Sequence, residues 1–479
     1  MQNMKRSRHL TYYKGLVPFT LGFTPICVPC GDSSRPPPMS HSGVPPENWR
    51  PVKREILTRA NLAAIPLEEI LSHPDLDVQG LLLSSFVLDV EWLGEYLNLR
   101  GENMSAFSKN MSAFSFVAEL KHLTILHGDV VECAGAEVIR PPTPRWGTHH
   151  SKFLLVDFGT VLRFVVTSAN FIENDWAVKN QHVAVIDLPM TATAPEGEGL
   201  ALLSYLARAF GKDRGAHWKH RVGGADWSRM PCNVHLIYSC PGEFGTRLVE
   251  SKLADLKPIN RVLIAQTSSV ATLTEKFWSR FLGCFRSSTV KVIFPSVRDV
   301  RQSWAGWDAG RSLFLTPSSL VNKDVRYWGP DISFLKRLVA QAVPDINADV
   351  NAYNLRALGM PHCKTYLGLS AIPEPIRNLE DLFTPVSVEF IYIGSHNLSQ
   401  SSWAGANGPK SFEMGLLIKG DLFTSPLGGL GVACGKRYSG HVPFALSLRH
   451  LVRAEQRLLW NHKTAPRGQA DRYGRCVHT

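Results

Sequence analysis

A histidine, one spacer residue and a lysine head an apolar segment twice in this chain. His150-Ser151-Lys152 opens the stretch HSKFLLVDF, and the next apolar segment, LRFVVTSAN, ends at Asn170. His362-Cys363-Lys364 opens HCKTYLGLS, and VEFIYIGSHN ends at Asn397. A buried strand gains nothing from a base and a cation side by side, whereas a reacting phosphate does. Residues i and i+2 of a strand share a face, so each His projects with its Lys, and the neighbouring strand brings the Asn alongside. Two copies facing each other would supply two imidazoles, two ammonium groups and two carboxamides to one pocket. One neutral imidazole can attack phosphorus while the other, protonated, donates to the leaving oxygen. The lysines and asparagines would hold the non-bridging oxygens, where charge builds up in the transition state. A single H-x-K is common by chance; two in matching contexts are not.

The elements that must position these residues alternate. VQGLLLSSFVLDVEWL predicts a buried strand followed by a helix, and LTILHG, HSKFLLVDF, LRFVVTSA and QHVAVIDL are strands. GLALLSYLARAFGKD is an amphipathic helix. A second cycle starts near NVHLIYSCPGEFG, with strands RVLIAQTSS and STVKVIFPSV around the helix LTEKFWSRFLGCF. HCKTYLGLS, VEFIYIGSHN and EMGLLIKGD follow as strands. The succession predicts an α/β fold of two similar α-β-α lobes with mixed sheets, spanning residues 51–239 and 240–479, and an active site between them. Residues 1–50, rich in proline and small polar residues, read as a disordered leader. The duplication NMSAFSKNMSAFSF at 103–116 is too short for a solenoid repeat and reads as a loop insertion.

Composition narrows the class. The chain has 479 residues, 44% hydrophobic and 19% charged, which is ordinary for a globular protein. Its apolar runs are strand-sized, and no secretory signal is recognisable, so a soluble intracellular protein without a membrane partner is expected. A net charge of +11 suits a polyanionic partner such as nucleic acid. Nine cysteines, an odd number over a long chain, argue against a disulfide framework. Cys27-Val-Pro-Cys30 lacks the second ligand pair that a zinc site needs, and neither metal nor cofactor is expected.

Paired H-x-K…N motifs resemble the phospholipase D superfamily. GTHHSK, TSANFIENDW, MPHCKTY, GSHNLSQSSW, SFEMGLL and FVLDVEWL are similar to its tyrosyl-DNA phosphodiesterase branch, and the similarity runs from about Leu57 to the closing DRYGR. That resemblance implies metal-independent hydrolysis of the bond between a DNA 3′ phosphate and a tyrosine, or a topoisomerase I-derived peptide, by a nuclear, monomeric DNA-repair enzyme. It implies His150 as the nucleophile, forming a phosphohistidine, and His362 as the acid and then the base. Lys152, Lys364, Asn170 and Asn397 would bind the phosphate, and Glu413 and Gln181 would orient the two imidazoles. It places Trp146 as a base-stacking residue and Thr148, Ser268, Ser269 and Thr272 at the substrate.

Without the family, Glu413 reads as an ordinary strand-head carboxylate, and the hydroxyls of QTSSVAT as caps for the following helix. Two departures stand out: Asp157 completes an H-x-K-x4-D pattern that this branch lacks, and Gln400 stands where relatives carry lysine. A phospholipase D-like lipid hydrolase is the alternative, which vesicle binding and head-group release would reveal. A binding protein with a decayed site is the other; its binding would survive His150→Ala.

Overall fold

A computed structural model describes residues 19–23, 65–93, 120–129, 133, 135–257, 261–303, 305–315, 325–330, 359–370, 386–404, 408–424, 429–432, 440–441 and 448–450. The 103–116 duplication, the Cys27/Cys30 pair and the closing DRYGR lie outside them. So does the leader, with one correction: Phe19–Phe23 is a strand, β1, paired antiparallel with His182–Ile186.

The first sheet collects the strands of the first H-x-K half. Its members are β1, β2 (Gly80–Ser85), β3 (His122–His127), β4 (Glu137–Ile139), β5 (Phe153–Asp157), β6 (Val161–Thr167) and β7 (His182–Pro189), in the order β1-β7-β6-β5-β2-β3-β4. β2, β3 and β4 run parallel to one another; β5, β6 and β7 follow antiparallel on the other side of β2. Arg163 of β6 is buried opposite Asp187 of β7, with Nε and Nη2 donating to its two carboxylate oxygens at 2.6 and 2.8 Å. Its Nη1 also donates to the carbonyls of Glu69, Ile70 and Ser72, which fixes the helical turn α1 (Leu67–Ile70) on the sheet. Removing one partner of such a pair costs about 3–5 kcal/mol, because the other is left charged and dry.

The second sheet repeats the plan. It contains β8 (Val234–Ser239), β9 (Val262–Gln266), β11 (Thr289–Ile293), β13 (Val325–Pro330), β14 (Lys364–Leu369), β15 (Val386–Gly394), β16 (Glu413–Thr424), β17 (Gly429–Val432), β18 (Gly440–His441) and β19 (Leu448–His450). The two-residue strands β10 (Ser269–Val270) and β12 (Phe314–Leu315) pair separately. The run β16-β15-β14-β9-β11-β13 has the order and directions of β7-β6-β5-β2-β3-β4. Thus β5 corresponds to β14, β6 to β15 and β7 to β16. β8 pairs with β16, so the chain enters the second sheet at Val234, ahead of the boundary expected after Ser239.

Period-two alternation gives each strand two apolar faces. Leu82, Phe153, Leu155, Phe164 and Val166 face inward and meet Ile264, Leu367, Ile391, Ile393 and Leu416 of the second sheet in one shared core. Helix α2 (Glu198–Phe210) adds Leu202, Tyr205, Leu206 and Phe210 to it. Outer faces carry separate clusters: Leu81, Leu83, Leu154, Val156 and Val165 under α1, and Leu263, Tyr366, Phe390 and Tyr392 under the helices Gly245–Lys252 and Glu275–Cys284. The two lobes are therefore packed face to face, with their H-x-K motifs at the seam.

Candidate active site

The seam is stitched by two short strand-like contacts, one for each motif. His149 bridges Phe412; His150 N donates to Phe412 O and Phe412 N to Thr148 O, both at 2.9 Å. Gly147 makes that approach possible, since a β-carbon there would meet Lys410 O at 2.1 Å. On the other side Asn180 bridges Pro361; Asn180 N donates to Met360 O and His362 N to Asn180 O, both at 3.0 Å. Each catalytic-motif histidine is thus laid against the segment entering the edgeward strand of the opposite lobe, β16 or β7. Those segments deliver Glu413 and Gln181.

His150 Nδ1 lies 2.8 Å from Glu413 Oε2. The carboxylate also accepts from Ser395 Oγ at 2.5 Å and from Ser402 Oγ at 2.8 Å. Burial pushes the Glu413 carboxyl up, but the charge and hydrogen bond of His150 first, then His396 and Lys152, outweigh that in any protonated state of the pair and hold it at about 2. Burial pushes the His150 imidazole down to about 4 against the pull of Glu413. The pair is therefore a neutral imidazole donating Nδ1–H to a carboxylate, which leaves the Nε2 lone pair free. That is the state of a nucleophile. Phe86, at the end of β2, lies with its ring 5.1 Å from the His150 ring.

His362 Nδ1 has two partners, Gln181 Nε2 at 3.1 Å and Asp175 Oδ2 at 3.3 Å. Burial, and next the Lys364 ammonium, hold its proton affinity well below the ordinary imidazole range, while Asp175 pulls the other way. Asp175 is fully buried; burial pushes its carboxyl up, but Lys179 and His362 hold it well below the carboxylate range. This residue is absent from the set expected from the sequence.

Lys152 and Lys364 are fully buried, and each Nζ donates to the carbonyl of its own motif histidine at 2.5 Å. Burial is the main force lowering both, Lys364 to about 7. Lys152 is lowered next by Lys364, so the two ammonium groups repel across the seam. An anion placed between them would relieve that repulsion. The carboxamides point the same way. Asn397 Oδ1 accepts from Thr267 Oγ1, Ser268 Oγ and Ser269 N, and Asn170 Oδ1 accepts from Val87 N. With the oxygens engaged, N–H donors are what remain for a ligand, although Asn170 gives one of its own to Asp175.

The expected substrate contacts divide. Trp146 is 75% exposed, holds φ at +67° and carries Arg145 over its ring at 5.1 Å. A tryptophan in the left-handed region is uncommon and costs about 1–3 kcal/mol of strain. Thr148 is exposed, with Oγ1 3.2 Å from Ser411 Oγ. Ser268, expected at the substrate, is instead 1% exposed and gives its hydroxyl proton to Asn397, so it stands behind that amide. Ser269 donates its backbone N–H to the same oxygen, and Thr272 is exposed, its carbonyl accepting from Gln400 Nε2 at 3.4 Å. The following helix is capped by Thr274, not by these hydroxyls. Asp157 lies at the far end of β5 from His150 and binds Gly159 N, Arg221 and His217, a structural role. Among the described residues no group of three His, Cys, Asp or Glu is placed to hold a metal ion. No described helix is long and apolar enough to cross a membrane.

Residues 53–459 match the family model of tyrosyl-DNA phosphodiesterase. The chain is 24% identical over 410 residues to tyrosyl-DNA phosphodiesterase 1 of Arabidopsis thaliana, covering 75% of this chain and 59% of that protein. It is 24% identical over 399 residues to the Drosophila melanogaster protein of the same name, covering 73% and 60%. The chain thus spans under two thirds of the length of these relatives. A crystal structure of the yeast tyrosyl-DNA phosphodiesterase shares the fold, with a TM-score of 0.59 at 17% identity over 82% of this chain and 94% of that one.

Proposed function

The chain belongs to the tyrosyl-DNA phosphodiesterase family, and from that premise we propose that it hydrolyses the phosphodiester between a DNA 3′ end and a tyrosine without a metal. The observation that carries this reading is the unequal support of the two imidazoles: His150 rests on a carboxylate already accepting two hydroxyls, and His362 on an amide and a second carboxylate.

The first step follows from those partners. His150 Nε2 attacks phosphorus, the bond from phosphorus to the tyrosine oxygen breaks, and His362 gives its Nε2 proton to the departing phenolate. The negative phosphate raises the proton affinity of His362, offsetting the burial and the lysines that depress it in the free pocket. Lys152, Lys364 and the free amide N–H groups of Asn170 and Asn397 bind the non-bridging oxygens, whose charge they stabilise best in the crowded transition state. In the second step water attacks phosphorus, its proton passes to His362, and the bond from phosphorus to His150 Nε2 breaks. DNA leaves with a 3′-phosphate, and both imidazoles return to their starting states.

Trp146 stacks on a base near the 3′ end, and the exposed Thr148 and Thr272 are further substrate contacts. A topoisomerase I-derived peptide is the natural tyrosyl substrate of such a site, and a monomer acting in nuclear DNA repair is the corresponding setting. The +11 net charge favours that polyanionic partner. The test is incubation of purified protein, in EDTA, with a 5′-labelled oligonucleotide ending in 3′-phosphotyrosine. Conversion to a 3′-phosphate end is expected; no conversion by folded protein would overturn the assignment.

A further inference from the structure

The two halves place different residues at equivalent positions around their histidines. Asn170 and Asn397 each lie three residues past the end of the second antiparallel strand of their half, two residues after Ser168 and Ser395 and six before Trp176 and Trp403. Ser168 Oγ donates to Gln181 Oε1 at 2.8 Å, as Ser395 Oγ does to Glu413 Oε2. Gln181 directly precedes β7 and Glu413 begins β16, the matching strands. Five residues after each Asn stands Asp175 in the first half and Ser402 in the second. The carboxylate has changed place: the second half carries it on the strand, with a hydroxyl on the loop, and the first half carries it on the loop, with an amide on the strand. Each histidine still meets one carboxylate.

That exchange has a chemical consequence. Ser168 Oγ accepts from His182 N at 2.9 Å and gives its proton to Gln181 Oε1, so the carboxamide turns its NH2 toward His362. An N–H donor at Nδ1 suits an imidazole with its lone pair there and its only proton on Nε2. Such an imidazole cannot give that proton away without becoming an imidazolate. An imidazole that donates from Nε2 and remains neutral must keep a proton on Nδ1, and that proton needs an acceptor. Asp175 Oδ2 is in place, 3.3 Å away and fully buried, and is itself fixed by Asn170 N and Nδ2 at 2.8 Å and by Lys179, which binds Oδ1 at 2.8 Å.

We propose that Asp175 is the positioning residue that keeps a proton on His362 Nδ1, and so makes His362 the acid of the first step and the base of the second. This rests on the function proposed above. Asp175 Oδ2 then accepts the Nδ1 proton and sets the tautomer, while the Gln181 NH2, 3.1 Å from Nδ1, serves the ring only when that nitrogen carries a lone pair. Because Asp175 also binds Asn170, it ties the acid to an amide that holds the phosphate.

The experiment compares leaving groups. A tyrosine phenolate needs a proton to leave well; 4-nitrophenolate does not. Single-turnover rates of the first step are measured for the parent and for Asp175→Asn on oligonucleotides ending in 3′-phosphotyrosine and in 3′-(4-nitrophenyl phosphate). Loss of general-acid help predicts slowing of about 10²-fold or more on the tyrosyl ester, with little change on the nitrophenyl ester, and Asp175→Glu is expected to restore part of the tyrosyl rate. Equal slowing on both esters would make Asp175 a structural support only and overturn the inference. A parent inactive on both would overturn the proposed function, and this inference with it. Should Asp175→Asn not fold, the parent protein gives an answer by itself. With a 3′-phosphate oligonucleotide bound, the nitrogen-15 shifts of His362 are expected to show a proton on Nδ1; a neutral ring protonated on Nε2 alone would overturn the proposal.

Discussion

His150 Nδ1 and Glu413 Oε2 lie 2.8 Å apart, although the two residues are 263 positions apart in sequence and belong to different sheets. The contact forms only when the lobes are docked, so the nucleophile acquires its tautomer from tertiary structure. Glu413→Gln tests this with almost no change of shape. The amide can turn an N–H toward Nδ1, which moves the imidazole proton to Nε2 and blocks the lone pair. A wrong tautomer of this kind costs about 10⁴ in rate in a hydrolytic triad, and a loss of that order is expected here on both tyrosyl and nitrophenyl esters. A loss confined to the tyrosyl ester would contradict the assignment of Glu413 to the nucleophile.

The pH profile follows from the same burial. His150 is held at about 4, below the ordinary 6.5, and Lys364 at about 7, below the ordinary 10.5. Below about 4 His150 gains a proton and loses its nucleophilic pair; above about 7 Lys364 loses the charge that binds phosphate. A bell in kcat/KM, which reports the free enzyme, is expected, with its acid limb near the His150 value and its basic limb no higher than the Lys364 value, because His362, held below the ordinary imidazole range, must also keep its proton. Since the site's histidines and lysines interact, the limbs belong to the cluster rather than to single residues. An acid limb at the ordinary imidazole value would count against a buried neutral His150.

Lys364→Met should separate activity from stability. The ammonium is fully buried beside a second cation, an arrangement unfavourable for folding. Thermal unfolding is expected to stay level or rise in the variant, while turnover falls about 10²–10³-fold through loss of a donor to the transition-state oxygens. A drop in Tm with turnover unchanged would place Lys364 in the scaffold instead.

Trp146→Ala is expected to weaken binding of a single-stranded 3′ oligonucleotide by about 1–3 kcal/mol, with kcat little changed and Trp146→Phe retaining most of the affinity. Both residues inherit the same positive φ, so the comparison reads the ring and not the backbone. Fluorescence anisotropy against salt concentration checks it: the salt slope should be the same in all three proteins, because no phosphate contact is lost.

The motifs were legible because phosphate chemistry restricts residue types, and the strands because both of their faces are apolar. The topology of the second half followed from the repetition of the first. β1 was not legible, since FTLGF lies amid prolines and its pairing with β7 depends on a partner about 160 residues away. β8 is legible only in part: NVHLIYS opens the second cycle, yet a boundary after Ser239 leaves it with the first lobe, because its partner β16 comes roughly 180 residues later. Asp175 is hard to single out within TSANFIENDW, where a lone aspartate before a tryptophan looks like a helix-start residue. Superposing that motif on GSHNLSQSSW, which sets Asp175 against Ser402, would have marked it. A hydroxyl that orients Asn397, as that of Ser268 does, and one that meets a phosphate are indistinguishable in sequence.

The division of labour between the two histidines is tested most directly by the covalent state. His362→Asn removes the base that activates water, so the adduct formed by His150 should persist after denaturation. With a 3′-phosphotyrosine oligonucleotide in EDTA, peptide mapping is expected to find the nucleotide linked through phosphorus to His150 and to no other residue. An active parent whose His362→Asn variant traps no adduct, or traps one elsewhere, would contradict the account.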